Sequence, residues 1–245
     1  MVWRQSGGIE WLEASLPRAR VCFTTRKGGI SQHSYESLNL GVLTDDERAS
    51  VLENRRRLAE ALGIDGRRVA MGRQVHGSEL QIHGPGSVEP HYLDPGEMPR
   101  EVDGHLTTAT GLSMLVLAAD CLPVALSGPG GVAMLHCGWR GLAGSIIERA
   151  AASVGATEAA VGPGIGPCCY EVGEEVAEAF SDLGPGLSQG DNLDLWEVAS
   201  RKLKRTGVER VQRADLCTFC DSDRFFSHRR DRGITGRQAG IAWIE

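Results

Sequence analysis

Short apolar runs alternate along this chain with polar, glycine-punctuated segments, and the apolar positions follow two different periods. "RVCFTT", "LSMLVLAADC", "PVALSG", "GVAML", "EAAV" and "AGIAWIE" are apolar throughout or nearly so, and too short for ordinary helices. Runs of that length and content read as buried strands. "RRVAMGRQVHG" and "SELQIHG" read as a strand pair meeting around His76 and Gly77, and "RVQRAD" as a late strand. "TDDERASVLENRRRLAEALGID" has the helical period instead. Thr44 followed by Glu47 fits a capping box. Val51, Leu58 and Leu62 share a face that Arg55 interrupts, and Gly63 stops the run. Further helices are expected from about Leu142, over "VGEEVAEAF" and over "LDLWEVASRKLKRTG". Residues Gly84 to Arg100, rich in Gly and Pro, read as a loop inserted between elements. Strands and helices mix without strict βαβ alternation, so the expected class is α+β, with mixed β-sheets and helices packed outside. No internal repeat and no clear linker divides residues 1–245, which are expected to form a single domain.

Composition narrows this picture. The 245 residues carry a formal net charge of −6, which argues against a basic nucleic-acid footprint. Only Lys27, Lys202 and Lys204 are lysine among the 26 basic residues; the arginine bias reads as genomic composition and weakens any single Arg as a functional sign. No run of about 18 apolar residues exists, so no membrane span is expected, and the first residues lack the pattern of a secretory signal. Seven cysteines, an odd number in a chain this long, suggest cytosolic thiols with some of them holding metal.

The chemically distinctive residues sit where apolar runs end. His76 lies in "QVHGS", Cys121 in "LAADCLPV" and His136 in "LHCGW". Two imidazoles and a thiolate suit zinc and leave a fourth position for water or substrate. Cys121 or Cys137 paired with His76 or His136 would equally suit nucleophilic catalysis, and spacing alone does not choose between the two. Cys217 and Cys220 form "CTFC", but the adjacent Cys168 and Cys169 of "PCCY" are a poor second pair for a four-cysteine site, so this pair is expected to be ordinary thiols. His228 lacks a partner at metal-binding spacing. "TTRKGGIS", with Arg26 and Lys27, and "CGWRGLAGS", with Arg140 ahead of a helix start, are candidate anion sites. "GPGIGP" fits neither phosphate-loop nor dinucleotide fingerprints.

Taken in order, "TTRKGGIS", "LNLG", "RQVHG", "DGHLTT", "ADCLPV", "LHCGWRGLAG", "GPGIGPCCYEVG" and "SHRRDRGITGRQAGIAWI" resemble the YfiH-type family, also called laccase-domain or polyphenol-oxidase proteins, from about Thr24 to the last residue. The resemblance implies a layered α/β/β/α domain in a bacterial cytoplasm. It implies zinc held by His76, Cys121 and His136. It also implies phosphorolysis of adenosine, inosine and 5′-methylthioadenosine, with adenosine deamination at the same site. Nucleosides and phosphate would be the partners, with no nucleic acid or membrane. Arg26, Asn39, Gln74 and Arg140 fall in motifs that line the family's site and are expected to bind substrate. Asp120, beside Cys121, is expected to transfer a proton or to orient the metal ligand. Arg232 stands where the family more often has a small residue. Two rival readings are a hydrolase that edits a nucleotide-linked muramic acid precursor and a non-enzymatic scaffold around structural zinc. Copper fits less well, because no His-x-His pair occurs among the seven histidines and no weak axial methionine is evident.

Overall fold

The computed structural model describes residues 1–87, 92–93, 95–96 and 99–245. Two six-stranded sheets carry the architecture. The first holds β1 (Val2–Ser6), β2 (Ile9–Leu16), β3 (Ala19–Thr24), β4 (Val69–Ala70), β7 (Ser113–Ala118) and β14 (Gln238–Trp243), in the spatial order β1-β2-β3-β14-β7-β4. The second holds β5 (Leu80–His83), β6 (Gly104–Thr107), β8 (Leu122–Gly128), β9 (Gly131–Cys137), β10 (Glu158–Val161) and β13 (Arg210–Arg213), in the order β13-β10-β8-β9-β6-β5. Both are mixed. β4 runs parallel to β7, β5 to β6 and β10 to β13, while the other pairings within these two sheets are antiparallel.

The near-continuous apolar runs are explained by layering. β8 and β9 are buried at every position, because each has one face on the other sheet and one under helices. Between the sheets, Val21, Phe23, Met114, Val116 and Ala242 of the first pack with Ala125, Val132, Met134 and Ala160 of the second. The outer face of the first sheet is covered by α1 (Arg48–Leu62), through Leu58, Ala59 and Leu62. The outer face of the second is covered by α3 (Ile146–Val154) and α5 (Leu195–Arg205), with α2 (Trp139–Ala143) beside them. This is the expected α/β/β/α order of layers.

Several local expectations change. The segments flanking His76 do not pair with each other. β4 joins the first sheet and β5 the second, so residues 71–79 cross between layers instead of forming a hairpin. Thr44 does not cap α1; its hydroxyl bonds the Gly41 carbonyl, and Glu47 is the capping position, with no side-chain cap bond. Gly63 does end the helix, at a φ of 68°. The helix expected from Leu142 is two helices, broken at Ser145, whose φ is 64°. α4 (Glu174–Glu178) is a short exposed helix with no buried residue. α5 is properly capped, Asp194 accepting the Glu197 N–H. The hairpin of β1 and β2 was not foreseen; β1 is exposed throughout and lacks the apolar pattern that marks the other strands. Of the Gly84–Arg100 loop, residues 88–91, 94, 97 and 98 lie outside the described set. Tyr92 within it is fully buried against the α1 layer.

Arg55 resolves its own anomaly. It interrupts the apolar face of α1 yet is completely buried, donating to the carbonyls of Leu40 and Tyr92 at 2.8 Å each, while the Tyr92 hydroxyl donates to the Arg55 carbonyl. A guanidinium thus ties two irregular segments to the helix. Replacement by alanine orphans two buried carbonyls, and Arg55→Ala is expected to cost about 2–5 kcal/mol of stability. The exposed neighbour substitution Arg56→Ala is expected to leave the urea midpoint essentially unchanged. Equal midpoints for the two variants would contradict the assignment of Arg55 as a buried tie.

Candidate metal centre

Three of the sequence-predicted residues converge at one rim of the two sheets. His76 lies on the crossing between β4 and β5, Cys121 immediately precedes β8, and His136 is the penultimate residue of β9. Their ligand atoms lie within 4.8 Å of one another. The two imidazoles meet edge to face, with centroids 5.0 Å apart and planes at 70°. His76 is exposed, Cys121 half-buried and His136 buried, so the group is open on the His76 side. Among the described residues it has these three members and no fourth. Cys137, one position along the strand, points to the opposite face and is buried in the helix-covered apolar layer. The space beside the group is tight: a Cβ on Gly138 would lie 3.0 Å from the Cys121 sulfur and 3.2 Å from the His76 ring, pressing on both.

The residue that organises this arrangement is Asp103, which sequence reasoning missed. It is fully buried. One carboxylate oxygen accepts the His76 N–H at 3.0 Å and faces His136 Nδ1 at 2.8 Å. The other accepts the N–H groups of Val75 at 3.1 Å and Gly77 at 2.8 Å. The crossing turn, in which His76 has a φ of 59°, is therefore wrapped around a carboxylate. Burial pushes the Asp103 pKa up, but the His136 ring and these amides hold it below the usual carboxylate range. With Nδ1 engaged, His136 keeps Nε2 for a ligand, the carboxylate–histidine arrangement common behind metal-binding imidazoles. Burial pushes the Cys121 thiol up, but His136 and His76 outweigh it and bring the thiol down to about 6. Burial lowers His136, while Cys121 and Asp103 raise it further, to about 9. Two imidazoles and an easily ionised thiol fit the donor set that zinc takes at open sites.

The group lies in the wall of a cavity of about 520 Å³, within the range of small-molecule sites. Arg48, Arg55, Arg73, Arg229 and Arg237 also line it, and Asp120 is the acidic side chain among the described lining residues. Met71, Leu117, Ile165 and Tyr170 supply apolar surface. Asp120 is anchored: its oxygens accept from the Thr218 hydroxyl and the Arg229 N–H, both at 2.7 Å.

The expected substrate residues are placed differently. Gln74 lines the cavity, but its amide is paired with both backbone groups of Leu117. Asn39 is buried and spent on scaffold, accepting from Gly41 and Arg237 and donating to Thr44 and Asp46. Arg26 donates to the carbonyls of Glu36 and Ser222, lies 4.5 Å over the Phe226 ring and borders a separate hollow with Asp231. Arg140 is exposed, outside the cavity lining, with its guanidinium 4.4 Å over the Trp139 ring. Its helix is only five residues long. Two of the five arginines that line the cavity, Arg229 and Arg237, come from the segment "SHRRDRGITGRQ". Arg232 in that loop has a φ of 52°, a left-handed position that favours a small residue.

The expectation that "CTFC" stands without a second pair is also overturned. Cys168, Cys169, Cys217 and Cys220 bring their sulfurs within 4.8 Å of one another, because a bridge between Gly164 and Cys217 lays the two loops side by side.

A family model described as multi-copper polyphenol oxidoreductase laccase matches residues 20–245. A purine nucleoside phosphorylase from Pseudomonas aeruginosa is 38% identical, over 96% of this chain and 98% of its own length. YfiH of Escherichia coli K12, also named a purine nucleoside phosphorylase, is 36% identical over 91% of this chain and 93% of its own. Among solved structures, YlmD of Geobacillus stearothermophilus superposes with a TM-score of 0.89 at 33% identity, covering 99% of this chain and 98% of that one.

The role of Asp103 is directly testable. An amide has one acceptor oxygen and two donors where the carboxylate has two acceptor oxygens. Asp103→Asn therefore sets N–H against N–H at the crossing turn or at His136. The expected loss is about 2–5 kcal/mol in denaturant unfolding. A midpoint equal to that of the wild type would show that the turn does not depend on the charge.

Proposed function

The chain belongs to the family described as multi-copper polyphenol oxidoreductase laccase, and from that premise we propose that it is a purine nucleoside phosphorylase acting on adenosine, inosine and 5′-methylthioadenosine. Adenosine deamination at the same site is part of the proposal, as is a zinc ion held by His76, Cys121 and His136. The observation that carries the reading is the open three-residue group in the wall of a cavity lined by both arginines and apolar side chains. The names of the relatives support the reaction class. Zinc is preferred to copper because a multicopper centre calls for more imidazoles and the chain has no His-x-His pair, while three protein ligands with an open fourth position is the form zinc takes at catalytic sites.

A bound zinc ion would supply Lewis acidity at the sugar or the base. The protein's own groups do the rest. Asp103 fixes the His136 ring and the turn that presents His76. Asp120, held by Thr218 and Arg229, orients the backbone that presents Cys121. Tyr170, Leu117 and Met71 offer apolar surface to a purine ring. Arg237, which feels the charges of both Asp120 and Cys121, supplies a fixed cation for phosphate. With phosphate, adenosine is cleaved to adenine and ribose 1-phosphate; with water alone, it loses ammonia to give inosine. The reading carries a cytoplasmic setting with it, where nucleosides and phosphate meet; among the described residues no helix is long and apolar enough to cross a membrane.

The test is to incubate metal-replete protein with adenosine, with and without phosphate, and to identify every product. Adenine and ribose 1-phosphate are expected only with phosphate, and inosine in both samples. His76→Ala, Cys121→Ala and His136→Ala are each expected to lose both reactions together with the zinc ion of this group. Release of an amino acid from a nucleotide-linked muramic acid precursor, with adenosine untouched, would replace this reading with the editing hydrolase. A lysine keeps charge but loses the bidentate fork of arginine. Arg237→Lys is therefore expected to raise the phosphate requirement by about 10–150-fold, with deamination falling less, whereas Arg140→Lys changes neither. An unchanged phosphate requirement in Arg237→Lys would remove Arg237 as the anion anchor.

A further inference from the structure

Four of the seven cysteines form a second group on the far side of the cavity wall, and the proposed reaction uses none of them. Cys168 and Cys169 follow the glycine-rich loop after β10; Cys217 and Cys220 follow β13. Because β10 and β13 are parallel neighbours, both loops leave the sheet at the same end. The backbone then zips them together, Gly164 N–H to the Leu216 carbonyl at 3.2 Å and Thr218 N–H to the Gly164 carbonyl at 3.0 Å. The result is four sulfurs within 4.8 Å of one another, with Cys169–Cys220 at 3.3 Å and Cys168–Cys220 at 3.5 Å.

Those separations have a chemical meaning. A disulfide holds its sulfurs at about 2.05 Å, well inside these distances. A tetrahedral zinc ion with Zn–S bonds of about 2.3 Å sets its sulfur ligands about 3.8 Å apart. The two shortest spacings lie a few tenths of an ångström inside that edge length, and all lie within 4.8 Å. The Cys217 sulfur also accepts the Gly166 N–H at 3.2 Å and a second backbone N–H from Cys220. The second amide arises because "CTFC" curls its chain back over the first sulfur, with Asp221 N–H bonding the Cys217 carbonyl at 3.0 Å.

We infer that Cys168, Cys169, Cys217 and Cys220 form a structural metal site of the four-thiolate class, taking a single zinc ion. It differs from the His76–Cys121–His136 group in having four protein ligands and therefore no position for substrate. Its location gives it a task. Tyr170, which lines the cavity, directly follows Cys169. Thr218, which directly follows Cys217, holds the Asp120 carboxylate, one residue from Cys121. The ion would clamp the two loops that support this side of the active cavity.

The experiment is a metal count on reconstituted full-length protein. Apo-protein is loaded with zinc under reducing conditions, freed of excess metal and assayed by mass spectrometry of the metal. The wild type is expected to hold about two zinc ions per chain, Cys217→Ser/Cys220→Ser about one, and His76→Ala/His136→Ala about one. X-ray absorption of the histidine variant then reads the cysteine site alone, with all of its ligands intact, and should show four sulfur neighbours at about 2.3 Å. Equal zinc in the wild type and the cysteine variant overturns the inference, as does a shell of nitrogen or oxygen in the histidine variant. Full zinc in the histidine variant, with loss only in the cysteine variant, leaves this site standing and removes the metal from the proposed function. Recovery of the four cysteines as disulfides from the zinc-loaded protein also overturns the inference.

Discussion

The structure around the candidate centre depends on one buried negative charge. A carboxylate removed from water must be met by donors or it neutralises or expels itself. Asp103 is met by three consecutive backbone amides, those of Val75, His76 and Gly77, and by the His136 ring. It stands at the start of β6, in the second sheet, and its own backbone adds two further ties: its N–H to the Glu79 carbonyl at 3.0 Å and its carbonyl to the His136 N–H at 2.7 Å. The segment it gathers begins in the first sheet at β4 and ends in the second at β5. One side chain therefore fixes how the chain crosses between the sheets, and the same contacts set the direction of two imidazoles.

The sandwich does the remaining assembly. β7 and β8 belong to different sheets, so the link between them, Ala119 to Cys121, must cross the rim. The same rim receives the end of β9, the loop after β10 and the approach to β14. Side chains far apart in sequence, from Gln74 to Arg237, therefore share one cavity. Rigid strands ending at a common edge hold such groups more closely than loops alone, and the apolar layers on both sides leave the rim as the place where polar chemistry can gather.

How much of this could be read from the sequence follows from how local each signal is. His76, Cys121 and His136 were legible as candidates because each stands near the end of a strand-like run, although spacing left metal and nucleophile open and only the family resemblance joined them into one group. Asp103 carries no such mark: "VDGHLT" has an ordinary aspartate before a glycine, and its donors lie 26 to 33 positions away in the chain. Asn39 and Arg26 show the opposite error. Polar residues in a distinctive motif look the same in sequence whether they face a ligand or the chain's own carbonyls. The glycines around Arg140 suggested an anion site, yet the helix they begin is a single turn and the guanidinium lies over Trp139. The cysteine cluster was missed because adjacent cysteines do not match the spacings of known zinc sites, although a parallel strand pair makes those spacings irrelevant by setting two loops side by side.

The two walls of the centre are held by different means, and the difference follows from what each must position. Imidazoles are turned by hydrogen bonds to their far nitrogen, so His136 needs a carboxylate behind it, and Asp103 supplies one. A thiol has no far side to grip; its direction is set by the backbone that carries it. Asp120, the residue before Cys121, has a φ of 99°, a conformation that costs a non-glycine residue about 1–3 kcal/mol. That strain persists because the residue is pinned on all sides: its carbonyl accepts the Ile165 N–H at 2.8 Å, and its carboxylate accepts from Thr218 and Arg229. Each of these partners belongs to a loop packed against the cavity, with Thr218 inside "CTFC" itself. The aim of the Cys121 sulfur therefore depends on a strained aspartate, held by Ile165 and Thr218 on the two loops that carry the cysteine cluster and by Arg229 on a third.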